Sequence, residues 1–119
     1  MLPLPMVLAR RLTNRLTMVR KSGAVPGLGP DGEAQVTVEY DEDGKPRRLD
    51  TVVLSAQHSP EKPMDELFWQ LTDSVLEPAL QILPPDEDTK ILLNPSGRFV
   101  LGGPEADTGL TGRKLMVDS

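Results

Sequence analysis

The spacing of apolar residues changes within the first forty positions, and this change limits the folds open to the chain. Over residues 6–21 the apolar residues recur every three or four positions, which predicts an amphipathic helix. Over residues 34–40 they alternate with polar residues, which predicts a strand with one buried face. A second predicted strand over 47–57 follows an Asp43-Gly44 turn, so the two strands should form a β-hairpin. The chain therefore needs both a helix layer and a sheet layer.

The second half of the chain continues the same pattern of mixed elements. The remaining predicted elements are a helix over 63–82 and extended segments over 89–94, 98–101 and 114–117. Pro78 lies inside the helical pattern and should kink the helix or end it early. The Gly- and Pro-rich stretch 22–32 is predicted to be a loop, long enough to be functional. Residues 1–119 are predicted to form a single α+β domain, a two-layer α/β sandwich with two helices on one face of a mixed or antiparallel sheet.

The composition argues against several classes of protein. A chain of 119 residues can bury one core, and its lack of cysteine excludes disulfide scaffolds and thiolate metal sites. The absence of cysteine also fits a cytoplasmic location. An aromatic content of 3% and a net charge of −5 argue against nucleic acid as a partner. The apolar runs are too short to span a membrane, and two early prolines argue against a secretory signal.

The charge is unevenly distributed along the chain. Residues 1–30 carry five cations and no acidic residue, whereas all 18 acidic residues follow. The five cations are Arg10, Arg11, Arg15, Arg20 and Lys21. They can form the solvated face of the first helix, or they can attract an anion or the acidic remainder of the fold. The solvated face is the simpler interpretation.

The side chains alone indicate one region where chemistry could occur. His58 lies beside Ser59 and can be either a structural histidine at a sheet edge or a catalytic residue. Between residues 94 and 114, glycines surround a few charged residues, including the adjacent Arg113 and Lys114. Glycine allows close approach of a ligand to the backbone, and this pair of cations suits phosphate oxygens. An anion site and a structural glycine turn both fit this pattern.

The same region carries a specific resemblance. Residues 94–104 read Asn-Pro-Ser-Gly-Arg-Phe-Val-Leu-Gly-Gly-Pro, and residues 107–114 read Asp-Thr-Gly-Leu-Thr-Gly-Arg-Lys. Both segments closely resemble the central domain of the S-adenosylmethionine synthetase (methionine adenosyltransferase) family. The helix at 8–21, the strand at 35–38 and the segment Asp-Thr-Val-Val-Leu-Ser-Ala-Gln-His at 50–58 resemble the same family in the same order. The resemblance extends over essentially the whole chain.

The resemblance implies an activity and a set of partners. Enzymes of this family join ATP and methionine to form S-adenosylmethionine, with Mg²⁺ and K⁺ in the full enzyme. No metal ligand is expected in this chain, which is expected to bind neither ion alone. Because the family's active site lies between subunits, the partners implied are other domains or a second subunit, in a homo-oligomer. The isolated chain is therefore expected to be inactive.

The resemblance also implies a role for individual residues. Phe99 would stack on adenine, with Arg98 beside it supplying backbone contacts, although spacing alone would make Phe99 a core aromatic. Asp31 would approach the ribose, and Asp107 would bind the methionine ammonium group. Arg113 and Lys114 would bind the phosphates and act as the catalytic residues.

Some positions depart from the family pattern. Glu33 stands where the family usually has a phosphate-contacting Lys, and Gly29 stands where it has Arg. Gly27 replaces a usual aromatic residue, and Arg10 replaces a common His. An acid in place of a base near a triphosphate weakens binding. These departures leave an alternative function open, that of a stand-alone non-catalytic homologue which binds a nucleotide or a partner protein.

Overall fold

A computed structural model describes residues 2–100 of the chain. The elements are α1 (Leu4–Ser22), β1 (Leu28–Tyr40), β2 (Pro46–His58), α2 (Met64–Leu71), a π-helical segment (Thr72–Leu76), α3 (Glu77–Ala79) and β3 (Lys90–Leu93). Their order and approximate bounds confirm the helices, the hairpin and the strand predicted before residue 94. The extended segment predicted at 114–117 lies outside the described residues. No helix within residues 2–100 combines the length and apolar character that a membrane span requires.

The three strands form one mixed sheet in the order β1-β2-β3. The β1–β2 pair is the antiparallel hairpin, whereas β3 lies parallel to β2 on its other side. Residues of α1, of the helical stretch over 64–79 and of the strands share one buried cluster. In β2 this cluster takes alternate residues, Val52, Leu54 and Ala56, which are fully buried. The predicted α+β sandwich is confirmed.

The first helix buries the stripe that its sequence predicts. The buried residues of α1 are Leu8, Leu12, Leu16 and Val19. Burying one such side chain stabilises a fold by about 1.5–3 kcal/mol, more than helix propensity contributes per residue. Pro5 lies in the first turn, where a missing N–H is harmless, and Gly23 ends the helix with a left-handed φ of 81°.

Pro78 widens the helical stretch before ending it. The N–H of Glu77 donates to the carbonyl of Thr72, five residues earlier, as in a π-helix. Pro78 has no N–H, and its ring crowds the carbonyl of the residue four positions before it, which is Ser74. The helical stretch therefore opens over Thr72–Leu76 and ends at Ala79. The early end that Pro78 predicts is confirmed.

The loop predicted over 22–32 is wrong in its second half. β1 already begins at Leu28, which pairs with His58, and the next pair is Gly32 with Ala56. Residues 29–31 therefore bulge opposite Gln57, so their glycine and proline lie where the ladder is interrupted. An edge strand tolerates such residues, so their density does not by itself distinguish a loop from an edge strand.

Two of the five N-terminal cations form tertiary hydrogen bonds. The guanidinium Nε of Arg15 donates to the carbonyl of Ser74 at 2.7 Å, and that of Arg11 donates to the carbonyl of Ala79 at 3.0 Å. A solvated face is therefore not the whole explanation of these cations, although Arg11 is exposed and Arg15 is half-buried. Both bind carbonyl groups near the end of the helical stretch, where helix donors are missing.

Candidate functional site

The end of β2 lies between two of the residues that the resemblance places at the nucleotide. On one side, the backbone N–H of Asp31 donates to the side-chain Oε1 of Gln57 at 3.1 Å. On the other side, the backbone N–H of His58 donates to the carbonyl of Phe99 at 2.8 Å. Because Gln57 and His58 are consecutive, Asp31 and Phe99 are held on opposite sides of one short stretch of the central strand.

Asp31 lies in the β1 bulge, where the ladder to β2 is interrupted. The buried side chain of Gln57 accepts the N–H of Asp31 and so replaces a missing ladder bond. Asp31 itself is exposed. A bulge re-aims the side chains of the residues within it, and such irregularities are common beside binding sites.

Phe99 lies outside the buried core. The residue is half-buried, whereas the fully buried side chains of the core are aliphatic apart from His58. A short parallel bridge between His58 and Val100 continues the pairing just after it. Part of Phe99 is therefore open to a ligand, and its place beside β2 follows from backbone hydrogen bonding.

His58 is a fully buried histidine whose two ring nitrogens both have partners. Its Nε2 accepts the backbone N–H of Phe99 at 3.0 Å, so the proton of the neutral ring lies on Nδ1. The Nδ1–H then donates to the carbonyl of Ser59 at 2.9 Å. These contacts favour the structural interpretation of His58 over the catalytic one. The residue ends the central strand, so the predicted position at a sheet edge is wrong.

Arg98 is tied to the turn that follows β2. Its guanidinium donates to the backbone carbonyls of Pro60 and Lys62. Lys62 is itself only 6% exposed, and its ammonium donates to Glu66 and Gln70. The Arg98 side chain therefore anchors its own segment to this turn, and the predicted backbone contacts of Arg98 to the nucleotide stay a prediction.

The side chain of Asn94 holds the segment that leads to Phe99 against β2, a role that was not predicted from the sequence. Its side-chain Oδ1 accepts the N–H of Ala56 at 2.7 Å, and its Nδ2 donates to the Ala56 carbonyl at 3.0 Å. The side chain thus continues the pairing of β3 after that strand ends at Leu93. The backbone of Asn94, at a left-handed φ of 42°, turns away into the predicted Asn-Pro-Ser-Gly turn. An Asn directly after a buried strand, where it can take this conformation, is the signal for such a role.

Comparisons with known proteins identify the family of the chain. Residues 1–99 match the family model described as the S-adenosylmethionine synthetase central domain. The chain belongs to this family. It is 55% identical over 118 residues to the S-adenosylmethionine synthase of Pseudothermotoga lettingae, an alignment that covers 99% of the chain. It is 51% identical over 120 residues to the S-adenosylmethionine synthase of a Nocardioides species, over 100% of the chain. The chain spans about 30% of the length of each relative.

Two positions that depart from the family pattern line one groove of this central domain. The groove has a volume of about 380 Å³ and lies between α1, which contributes Arg10, and β1, which contributes Glu33. Both residues are exposed. The altered charges therefore lie beside the bulge that carries Asp31, two residues from Glu33.

The remaining predicted site residues lie outside the part of the chain that is described. These residues are Asp107, Arg113 and Lys114, and their roles stay predictions. Among residues 2–100, no group of three or more His, Cys, Asp or Glu side chains is arranged to hold a metal ion.

A network of ion pairs around Arg48 lies at the opposite end of β2. Arg48 donates to both carboxylate oxygens of Asp86, at 2.9 and 3.0 Å, and also to Glu39. The hydrogen bonds from Arg48 hold the pKa of the Asp86 carboxyl well below its ordinary range. This group ties the segment before β3 to the start of β2 and has no part in the candidate site.

Proposed function

We propose that this chain is the adenosine-binding central domain of a methionine adenosyltransferase, which forms S-adenosylmethionine from ATP and methionine. The proposal depends mainly on one observation, the placement of Asp31 and Phe99 on opposite sides of the end of β2. The family membership and the names of the two relatives support it.

The reaction in this proposal is a displacement at carbon. A lone pair of the methionine sulfur forms a bond to C5′ of the ribose, and the C5′–O bond breaks. The triphosphate leaves with that electron pair, and the sulfur becomes a sulfonium cation. A thioether has no proton to lose, so the step needs no general base. The protein must align sulfur, carbon and leaving oxygen, and must stabilise the charge that develops on the triphosphate.

Each predicted site residue has a part in this scheme. Phe99 stacks on adenine, the backbone at Arg98 adds contacts, and the exposed Asp31 binds the ribose. Asp107 binds the methionine ammonium group as its counter-charge. Arg113 and Lys114 bind the phosphates, the first as a planar fork of donors and the second as a compact charge, and they stabilise the leaving triphosphate.

The other parts of the enzyme lie beyond this chain in the proposal. Mg²⁺ and K⁺ would neutralise the triphosphate in the full enzyme. Residues 2–100 hold no side-chain cluster suited to a metal ion, so we assign them no step that involves one. Other domains or a second subunit complete the site, in a cytoplasmic homo-oligomer. By this scheme the isolated chain forms no product.

A chimeric enzyme tests the proposal. The chain would replace the matching stretch of the Pseudothermotoga lettingae synthase, and S-adenosylmethionine formation would be assayed with ATP, methionine, Mg²⁺ and K⁺. We expect an active chimera in which Phe99→Ala raises the KM for ATP by about tenfold, because base–aromatic stacking contributes about 1–3 kcal/mol. The KM for methionine should stay within about twofold.

The matched control removes an aromatic residue from another surface. Trp69 in α2 is 68% exposed, and Trp69→Ala should leave the KM for ATP unchanged. An unchanged KM for ATP in the Phe99→Ala chimera would contradict the proposal that Phe99 stacks on adenine. Product formation by the isolated chain above background would contradict the need for other domains.

The alternative function remains distinguishable in the same experiments. Glu33 in the groove beside Asp31 favours a nucleotide-binding homologue without catalysis. An inactive chimera, together with ATP binding by the isolated chain that Phe99→Ala abolishes, would support that alternative.

A further inference from the structure

We propose that His58 is a positioning residue for Phe99, the aromatic side chain that forms the adenine platform. His58 sets the orientation of Phe99 by binding both polar atoms of its backbone. The inference rests on the proposed function for the role of Phe99, whereas the contact itself is independent of that role. His58 acts through Phe99 and does not touch the nucleotide.

The contacts between the two residues are reciprocal. The backbone N–H of His58 donates to the Phe99 carbonyl at 2.8 Å, and the ring Nε2 of His58 accepts the Phe99 N–H at 3.0 Å. One residue therefore binds the donor and the acceptor on either side of the Phe99 Cα atom. Holding both peptide groups restricts the φ and ψ angles of Phe99 and, through them, the direction of its side chain.

The ring of His58 takes the place of a main-chain acceptor. In an uninterrupted parallel ladder with this pairing, the N–H of Phe99 would donate to the carbonyl of Ala56. The side-chain Nδ2 of Asn94 already donates to that carbonyl at 3.0 Å. The chain after Asn94 has turned out of the sheet, and the imidazole provides an acceptor where the segment returns.

The surroundings of His58 restrict its ring to this arrangement. The side chain is fully buried, and its Nδ1–H donates to the carbonyl of Ser59 at 2.9 Å. This bond sets the tautomer that leaves Nε2 free to accept. Arg98 adds a second anchor just before Phe99, through the carbonyls of Pro60 and Lys62. The turn after β2 thus holds the platform at two successive residues.

Three substitutions separate positioning from simple loss of structure. The amide oxygen of His58→Gln can reach the place of Nε2 and accept the Phe99 N–H. The shorter His58→Asn retains a polar group near Nδ1 only, and His58→Leu retains neither. All three would be placed in the chimeric synthase and in the 119-residue chain, with circular dichroism and thermal unfolding as checks of folding.

The kinetic readout is the ratio between the KM values for ATP and methionine. We expect His58→Leu and His58→Asn to raise the KM for ATP by about fivefold to tenfold, the effect of about one hydrogen bond. His58→Gln should stay within about threefold of the parent, and the KM for methionine should change by less than about twofold in all three. If His58 had only a structural role, its substitution would lower the amount of active enzyme and leave the KM values for ATP and methionine unchanged.

The second readout needs no catalysis. Hydrogen exchange of the Phe99 amide, followed by NMR in the 119-residue chain, should be slow in the parent and in His58→Gln. It should be at least about tenfold faster in His58→Asn and His58→Leu. The ¹⁵N spectrum of the parent imidazole should show a protonated Nδ1 and an accepting Nε2.

The outcomes decide between the two proposals. Equal KM values for ATP in folded His58→Gln and His58→Asn would overturn the positioning role, as would unchanged Phe99 exchange in both variants. If every chimera is inactive, the proposed function fails, and the exchange rates still show whether His58 positions Phe99. If His58→Leu does not fold, the comparison of Gln with Asn remains decisive.

Discussion

The guanidinium of Arg15 donates from Nε to the carbonyl oxygen of Ser74 at 2.7 Å, joining residues that are 59 positions apart. Pro78 lacks the N–H that would donate to this carbonyl in a regular α-helix. A side chain of α1 therefore supplies the donor where the helical stretch opens over Thr72–Leu76. The interruption at Pro78 and the packing of α1 against the helical stretch are therefore linked by this hydrogen bond.

Loss of this bond should destabilise the domain. We expect Arg15→Met to lower the free energy of unfolding by about 1–2 kcal/mol, because a partly buried carbonyl loses a charged donor while the apolar stem is retained. Pro78→Ala restores an N–H, so the same substitution should have a smaller effect in that background. Urea denaturation of the parent, the two single variants and the double variant measures the coupling between Arg15 and Pro78. Arg10→Met, at an exposed position of the same helix, is the control. Equal effects in both backgrounds would show that Arg15 does not compensate for Pro78.

Gly32 allows the close approach of α1 to β1. A Cβ atom at this position would lie 2.5 Å from Cδ2 of Leu16 and 3.0 Å from the carbonyl oxygen of Ser55. We expect Gly32→Ala to lower stability by about 1–3 kcal/mol, as overpacking does. Leu16→Val removes the Cδ2 atom, so the double variant should be destabilised by less than the sum of the single effects. Additive losses in thermal or urea unfolding would contradict this steric explanation.

The Asp86 carboxylate should make stability depend on pH in the acid range. Hydrogen bonds from Arg48 lower the pKa of Asp86 in the folded state below its ordinary value of 3.8. A lowered folded pKa contributes stability that is present above the ordinary value and disappears as the pH falls through the folded one. Asp86→Asn should therefore destabilise the protein at about pH 6, and the difference from the parent should shrink toward about pH 2.

The control for this prediction is a carboxylate in the exposed hairpin turn. Asp43→Asn should change stability little at either pH, as surface substitutions usually do. Because Asp86 is exposed and Arg48 is only half-buried, added salt should also reduce the effect of Asp86→Asn. A difference between Asp86→Asn and the parent that stays constant across this pH range would rule out the ion pair as its cause.

Reversing the charge at Glu33 should strengthen nucleotide binding. This prediction rests on the resemblance, which implies a phosphate-contacting Lys at the position of Glu33, a residue that lines a groove with Arg10. We expect Glu33→Lys to raise the affinity for ATP by on the order of tenfold at low salt, because a repulsive charge becomes an attractive one. Calorimetry measures the affinity, with Glu87→Lys as a control of equal charge change. Unchanged or weaker binding by the folded Glu33→Lys variant would argue against phosphate near this groove.

The candidate site was only partly predictable from the sequence. The amino-acid sequence around Phe99 itself resembles that of the family, so the family could be predicted without coordinates. The partners of Phe99 could not, because His58 lies 41 residues away and its hydrogen bonds depend on the position of the returning chain. The same holds for Asn94 and Ala56, whose pairing joins residues 38 positions apart.

The sequence by itself determined the elements whose signal is local. The apolar stripe of α1 and the turn at Gly44 each depend on neighbours within a few residues, and both are found in the structure. Tertiary structure decided that the Gly-Pro stretch from residue 28 joins the sheet, that His58 ends a central strand, and that Arg15 caps a distant carbonyl. Periodicity records which face a residue buries, whereas hydrogen bonds between distant residues depend on how the layers meet.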